Sequence, residues 1–162
     1  MSRKSTFSKK KIPLQLYRKI VDMMPICCVD ALFKSGNKLF LFKRAYEPAK
    51  NKWWIIGGRV LKGESLKDAM IRKVKEEIGV DVKILKMIGV YETIFPISRF
   101  DINNRKIGAH TISICFLVEP NKKNFKLRLN EEYNGYKTIA RLDKSFHPYI
   151  KKVLRDSGLN LK

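Results

Sequence analysis

The sequence predicts an α+β fold, a mixed or antiparallel sheet with helices against its faces. Two kinds of periodicity predict it. Apolar residues recur with strand-like runs at 26–33, 38–44, 53–56, 80–95 and 110–118, and with helical spacing at 13–23, 66–78 and 146–154. Turn and cap residues separate these runs. A chain of 162 residues suits a single domain with a sizeable core.

The first 12 residues are a basic arm, expected to be flexible, and 13–162 form the domain. Leu14, Tyr17, Ile20 and Val21 share a helical stripe that Pro25 ends. Ile26 to Phe33 and Lys38 to Arg44, joined by Ser35-Gly36-Asn37, read as a hairpin. A loop with Pro48 follows, then a short apolar strand, Trp53 to Ile56, running into Gly57-Gly58. Ser65, with Asp68 three residues on, starts a helix as a capping box does, and Gly79 stands where a terminating glycine belongs. Val80 to Phe95 is strand-rich with a bulge expected at Gly89, and 98–109 is a long polar loop. His110 to Val118 is a strand, 121–124 a turn, and 125–139 mixed. A last helix ends at Asp156-Ser157-Gly158.

Charge is the outstanding feature of the composition. Lys and Arg number 35 against 15 acids, a net charge of +20. Such a field attracts nucleic acid or phosphorylated substrates, or is simply a solvated basic surface. No apolar run is long enough to span a bilayer, and the N-terminus lacks an apolar signal segment, so a cytoplasmic protein is expected, with no membrane partner. Cys27, Cys28 and Cys115 have neither metal-ligand nor disulfide spacing and are expected to be buried.

The helix from Leu66 to Ile78 poses a chemical problem. At about 100° per residue, Leu66, Ala69, Met70, Val74 and Ile78 form one arc. Glu77 falls inside that arc and Lys73 at its edge, with Glu76 and Arg72 on the flank. An i,i+4 ion pair with Lys73 contributes only about 0.2–0.5 kcal/mol on an exposed face, which does not offset burial of a carboxylate. Glu77 is therefore either at the rim or the ligand of a cation. Glycines at 57 and 58 let backbone approach a ligand, and carboxylates with a free carbonyl are the oxygen set that Mg²⁺ prefers. Arg59 and Arg72 flank it, suited to phosphate oxygens.

Gly58, Glu64, Arg72, Val74, Glu76, Glu77, Gly79 and Val80 fall at the spacing G-x5-E-x7-R-E-U-x-E-E-x-G-U. This resembles the Nudix box, with one departure: Lys73 stands where the family has glutamate. The resemblance implies a Nudix-type α/β/α sandwich with a central mixed sheet and flanking helices. It also implies Mg²⁺-dependent hydrolysis of a nucleoside diphosphate linked to another moiety, and a homodimer. An ammonium in place of one ligand repels a second cation. One Mg²⁺, or Mn²⁺, is thus expected, held by Glu77 and the Gly57 carbonyl with Glu76.

Lys43-Arg44, Pro48-Ala49, Trp53 and Gly57-Gly58-Arg59-Val60 extend the likeness to the GDP-mannose mannosyl hydrolase branch. There water attacks the sugar carbon and GDP leaves. The resemblance gives Arg44 a substrate contact, and Arg59 both a substrate contact and, with Arg72, charge stabilisation on the leaving diphosphate; for Tyr17 it offers a stacking face for the base as the alternative to the core role expected of it. The branch's late metal-binding amide and histidine base correspond here to Glu132 and Tyr133. Glu132 suits Mg²⁺ or, like Glu131, the base. Tyr133, with an ordinary pKa of about 10, is a poor base. His147 and His110 are expected to be structural, with a cleft-facing role for His110 as the alternative because a strand mouth can face a cleft, and one of Trp53 and Trp54 is expected to pack the core.

Two other functions remain open. One is pyrophosphatase action on ADP-ribose or oxidised nucleotides. The other is a catalytically weak domain binding nucleotide or RNA through its basic surface; a nucleic-acid partner is the less favoured.

Overall fold

A computed structural model of the chain describes residues 12–101, 103 and 105–161. All but the last residue of the basic arm, residues 1–11, lies outside the described residues. The elements are α1 (Leu14–Met23), β1 (Ile26–Ser35), β2 (Lys38–Arg44), β3 (Trp53–Trp54), β4 (Ile56–Arg59), α2 (Leu66–Ile78), β5 (Val82–Phe95), β6 (Ala109–Pro120), β7 (Tyr133–Ile139) and α3 (Pro148–Asp156).

The strands form one mixed seven-stranded sheet, in the order β3-β2-β1-β6-β5, with β4 on β1 and β7 on β2. β1 and β6 are parallel over Ile26–Phe33, and every other pairing is antiparallel. One edge of β1 is shared. Its first half pairs with β4, from Cys28 opposite Arg59 to Ala31 opposite Ile56, and its end pairs with β2. The run 53–56 is therefore two strands, broken at Ile55, because its ends join different neighbours. The β5–β6 register shifts between Met87 and Gly89.

Alternation along β1 sends Val29, Ala31 and Phe33 to one face and Leu32 to the other. On the first face they pack against Ala69, Met70, Val74 and Ile78 of α2. On the second, Leu32, Leu39 and Leu41 pack against Ile150, Val153 and Leu154 of α3. Helix, sheet and helix thus make the expected sandwich.

Two local expectations are corrected. Cys28 and Cys115 are buried, but Cys27 is exposed, at the entry of β1 before its buried stretch begins. Leu66, placed in the apolar arc of α2, is 39% exposed, like Ser65, Lys67 and Asp68 around it, and burial begins at Ala69. Among the described residues no helix is long and apolar enough to cross a membrane.

Candidate active site

The Ser65 hydroxyl accepts the Asp68 amide at 3.1 Å and so starts α2, and Gly79 ends it at φ 72°, a conformation that favours glycine. A helix leaves its last carbonyls without intrahelical partners. Here the Arg128 amide donates to the Ile78 carbonyl and the Asn130 amide to that of Glu77, both at 2.9 Å. This docking carries the chain into β7 directly over Glu77, whose carboxylate is 2% exposed. Its Oε2 accepts the Tyr133 hydroxyl at 2.6 Å and its Oε1 meets Lys73 Nζ at 2.5 Å. Burial pushes the Glu77 carboxyl above its usual range, and the Lys73 charge and the two hydrogen bonds pull it back. Tyr133 is raised well above an ordinary phenol by burial and the carboxylate beside it, so it donates and does not act as a base.

β4 threads between two opposite charges. A Cβ at Gly57 would lie 1.8 Å from Asp30 Oδ1 and 2.9 Å from the Val29 carbonyl. A Cβ at Gly58 would lie 2.6 Å from Lys73 Cε. Successive strand residues face opposite sides, so one glycine makes room for a carboxyl and the next for a lysine. Asp30 is buried, takes hydrogen bonds from the Tyr149 hydroxyl and from Ser113, and is pushed up to about 6 by burial, against the pull of those bonds.

These groups open on a cavity of about 330 Å³ whose wall includes Tyr17, Arg44, Arg59, Arg99 and Glu132. The Arg59 guanidinium lies over the Tyr17 ring at 4.6 Å, and that ring meets Phe100 edge-on at 5.2 Å. Arg44 Nε donates to the Pro48 carbonyl at 2.7 Å. Arg99 Nη2 contacts both Glu132 oxygens, at 2.6 and 2.5 Å, joining the β5–β6 loop to the approach of β7. His110, at the mouth of β6, also lines the cavity and meets Glu92 at 2.8 Å. Trp54 is the core tryptophan, stacked among Phe95, His147 and Tyr149, while Trp53 carries the Lys137 ammonium at 4.5 Å. His147 caps α3, its Nδ1 accepting the Tyr149 amide at 3.2 Å.

Gly57, Glu77, Glu132, Arg44, Arg59 and Tyr17 are thus brought together. Arg72 and Glu76 are not on the cavity wall. Arg72 grips Glu64 at 2.7 and 2.9 Å, the Arg59 carbonyl at 3.2 Å and Glu76 at 3.1 Å. Glu64 in turn accepts the Leu61 amide at 3.1 Å, so the pair fastens the loop after β4 to α2. Glu76 is half exposed, 3.6 Å from Lys73 Nζ.

The donors present suit a divalent cation. Among the described residues no three His, Cys, Asp or Glu side chains form a ready-made cage. Mg²⁺ in nucleotide sites commonly rests on one or two carboxylates and completes its shell with water and phosphate oxygens. A buried carboxylate beside a strand with no side chain at two successive positions is such a donor set, provided Lys73 leaves Oε1.

The sequence motif does not reach Asp30, Ser113, Tyr149 or Arg99. Asp30 offered one signal, an acid inside an otherwise apolar strand. Arg99 offered none.

A family model described as NUDIX domain matches residues 25–156. The chain is 30% identical over 144 residues to the low-salt glycan biosynthesis protein Agl8 of Haloferax volcanii, covering 89% of each. It is 33% identical over 110 residues to the ADP-ribose pyrophosphatase of Methanocaldococcus jannaschii, covering 68% of this chain and 59% of that one. A crystal structure of a MutT NUDIX hydrolase from Burkholderia pseudomallei superposes with TM-score 0.65 at 20% identity, covering 82% of this chain and 98% of that one. The sandwich, the helix that buries Glu77 and the match across both have one explanation: the chain belongs to the Nudix hydrolase family.

Proposed function

We propose that the protein hydrolyses a nucleotide sugar, GDP-mannose being the model substrate, by attack of water at the sugar carbon with one Mg²⁺ bound. The observation that carries this reading is the Lys73 ammonium on Glu77, which leaves room in the charge balance for one divalent cation rather than several. The likeness to a protein named for glycan biosynthesis supports a sugar-bearing substrate. Glu77 and the Gly57 carbonyl would hold the ion, which when bound would neutralise charge on the diphosphate, while Glu76 stands off the cavity wall, paired with Arg72.

The protein's own residues supply the rest. Arg44, Arg59 and Arg99 face the cavity and bind diphosphate oxygens. Tyr17, already stacked under Arg59, offers a ring edge to the base. Arg72 acts from behind, holding Arg59's backbone and the Glu64 loop in place. Water forms the new C–O bond as the bond from sugar carbon to phosphate oxygen breaks. The water's proton passes to a wall carboxylate, for which Glu132 stands at the rim, and the nucleoside diphosphate leaves with the bonding pair. The cytoplasm is the compartment this reading assigns.

A second reading is supported by the likeness to an ADP-ribose pyrophosphatase. It places attack at phosphorus and releases a nucleoside monophosphate. Hydrolysis in ¹⁸O-water with product masses separates the two. Label in the sugar with unlabelled nucleoside diphosphate supports carbon attack. Label in a phosphate overturns it in favour of the second reading.

A further inference from the structure

The two oxygens of Glu77 are both taken, Oε1 by Lys73 Nζ at 2.5 Å and Oε2 by the Tyr133 hydroxyl at 2.6 Å. The Tyr133 ring is locked in the core, whereas Lys73 hangs on a flexible four-carbon stem. Its place is built into the sheet, since a Cβ at Gly58 would lie 2.6 Å from Cε and 3.2 Å from Nζ. A divalent ion on Oε1 and an ammonium at hydrogen-bond distance from the same oxygen are two cations a few ångströms apart, and they repel each other in this buried setting. An incoming ion therefore favours a rotamer that takes the ammonium away from Glu77. The cavity it faces is walled by Arg44, Arg59 and Arg99, so a displaced cation is unwelcome there unless an anion enters too.

We propose that Lys73 is an exchangeable internal cation: it occupies Glu77 in the free protein, and it transfers to the diphosphate of the substrate when a divalent ion takes its place. The second half rests on the nucleotide reading above. Metal and nucleotide then bind cooperatively, because each supplies what the other's binding requires. By linkage the enhancement is reciprocal. Lys73 is a binding and positioning residue here, and the coupling, more than either affinity alone, is its signature.

The test uses Mn²⁺ as the ion, counted by the electron paramagnetic resonance of free Mn²⁺, with GDP and ADP as non-turnover diphosphates. It compares the native chain with Lys73→Met and, in case the apolar variant misfolds, Lys73→Gln; thermal melts confirm that each is folded. Lys73→Met and Lys73→Gln should bind Mn²⁺ alone about tenfold more tightly than the native chain, within the usual span of coupling effects. The enhancement of Mn²⁺ affinity by nucleotide, corrected for the complex in solution, should shrink by a similar factor. Native Mn²⁺ affinity in both folded variants overturns the exchange at Glu77. Tighter Mn²⁺ with an undiminished nucleotide enhancement overturns the transfer to diphosphate and points to Glu76, 3.6 Å away, as the ammonium's resting place. If neither nucleotide binds the native chain, the nucleotide reading and the transfer fall together, and Mn²⁺ alone still decides the exchange.

Discussion

Removing the Tyr133 hydroxyl tests how Glu77 is held. In Tyr133→Phe the ring still packs against Phe42 and the volume is nearly unchanged, so the perturbation is one hydrogen bond of 2.6 Å between groups 5% and 2% exposed. A buried hydrogen bond to a charged group contributes about 1.5–3 kcal/mol. For a chain of this size that corresponds to a melting temperature lower by about 4–10 °C. Urea unfolding at pH 7.5 should show the loss as a lower midpoint with an unchanged slope. The pH dependence adds a second check. Glu77's folded carboxyl already lies above the ordinary glutamate range because of its burial, and the phenol's bond favours the ionised form. Without that bond the folded carboxyl rises further, the folded state holds its proton to higher pH than the unfolded chain does, and the deficit grows as pH rises from 5 to 8. A variant within about 0.5 kcal/mol of native at both pH values, inside the scatter of ordinary surface substitutions, would refute the placement of this bond.

Three other perturbations probe the same centre. Asp30→Asn should gain on the native chain by about 3 kcal/mol between pH 3.5 and 7, because a carboxyl shifted from 3.8 to about 6 favours folding below 3.8 and loses that contribution as pH rises toward 6; denaturation midpoints of the two proteins across that range measure it. Gly57→Ala should destabilise by about 1–3 kcal/mol and abolish most turnover, since its methyl meets Asp30 and the unyielding Val29 carbonyl; calorimetry and a product assay report the two effects. Glu77→Gln should bind Mn²⁺ at least tenfold more weakly while keeping the fold, read by metal titration and circular dichroism, an effect on the order of 1.4 kcal/mol or more.

Local chemistry made α2 and β2 legible. Ser65 and Gly79 mark the helix ends, and its stripe is one-sided, so the inward aim of Glu77 follows from angle alone. The spacing of Gly58, Glu64, Arg72 and Glu77 carried the family. What the sequence hid depends on distant pairing. Nothing near Ile55 announces that Trp53–Trp54 joins β2 while Ile56–Arg59 joins β1. Asp30 looks like a break in an apolar run until Tyr149, 119 positions later, supplies its hydrogen bond. Tyr133, a poor base by its ordinary pKa, is a donor because the helix end 56 positions earlier lies beneath it. Arg72's grip on Glu64 and the Arg59 carbonyl was not legible, because charge near a motif carries no information about which partner it will choose.

The glycine pair in β4 leaves only a naked peptide between Asp30 and Lys73. With no side chains to thicken it, that partition works like the gap in a capacitor, and charge added to one plate is felt on the other. Loading a cation on the helix side should make the opposite carboxyl surrender its proton more readily, so the two faces of the sheet keep a shared account of charge. An engineer who bulks out either glycine would alter that crosstalk as well as the space.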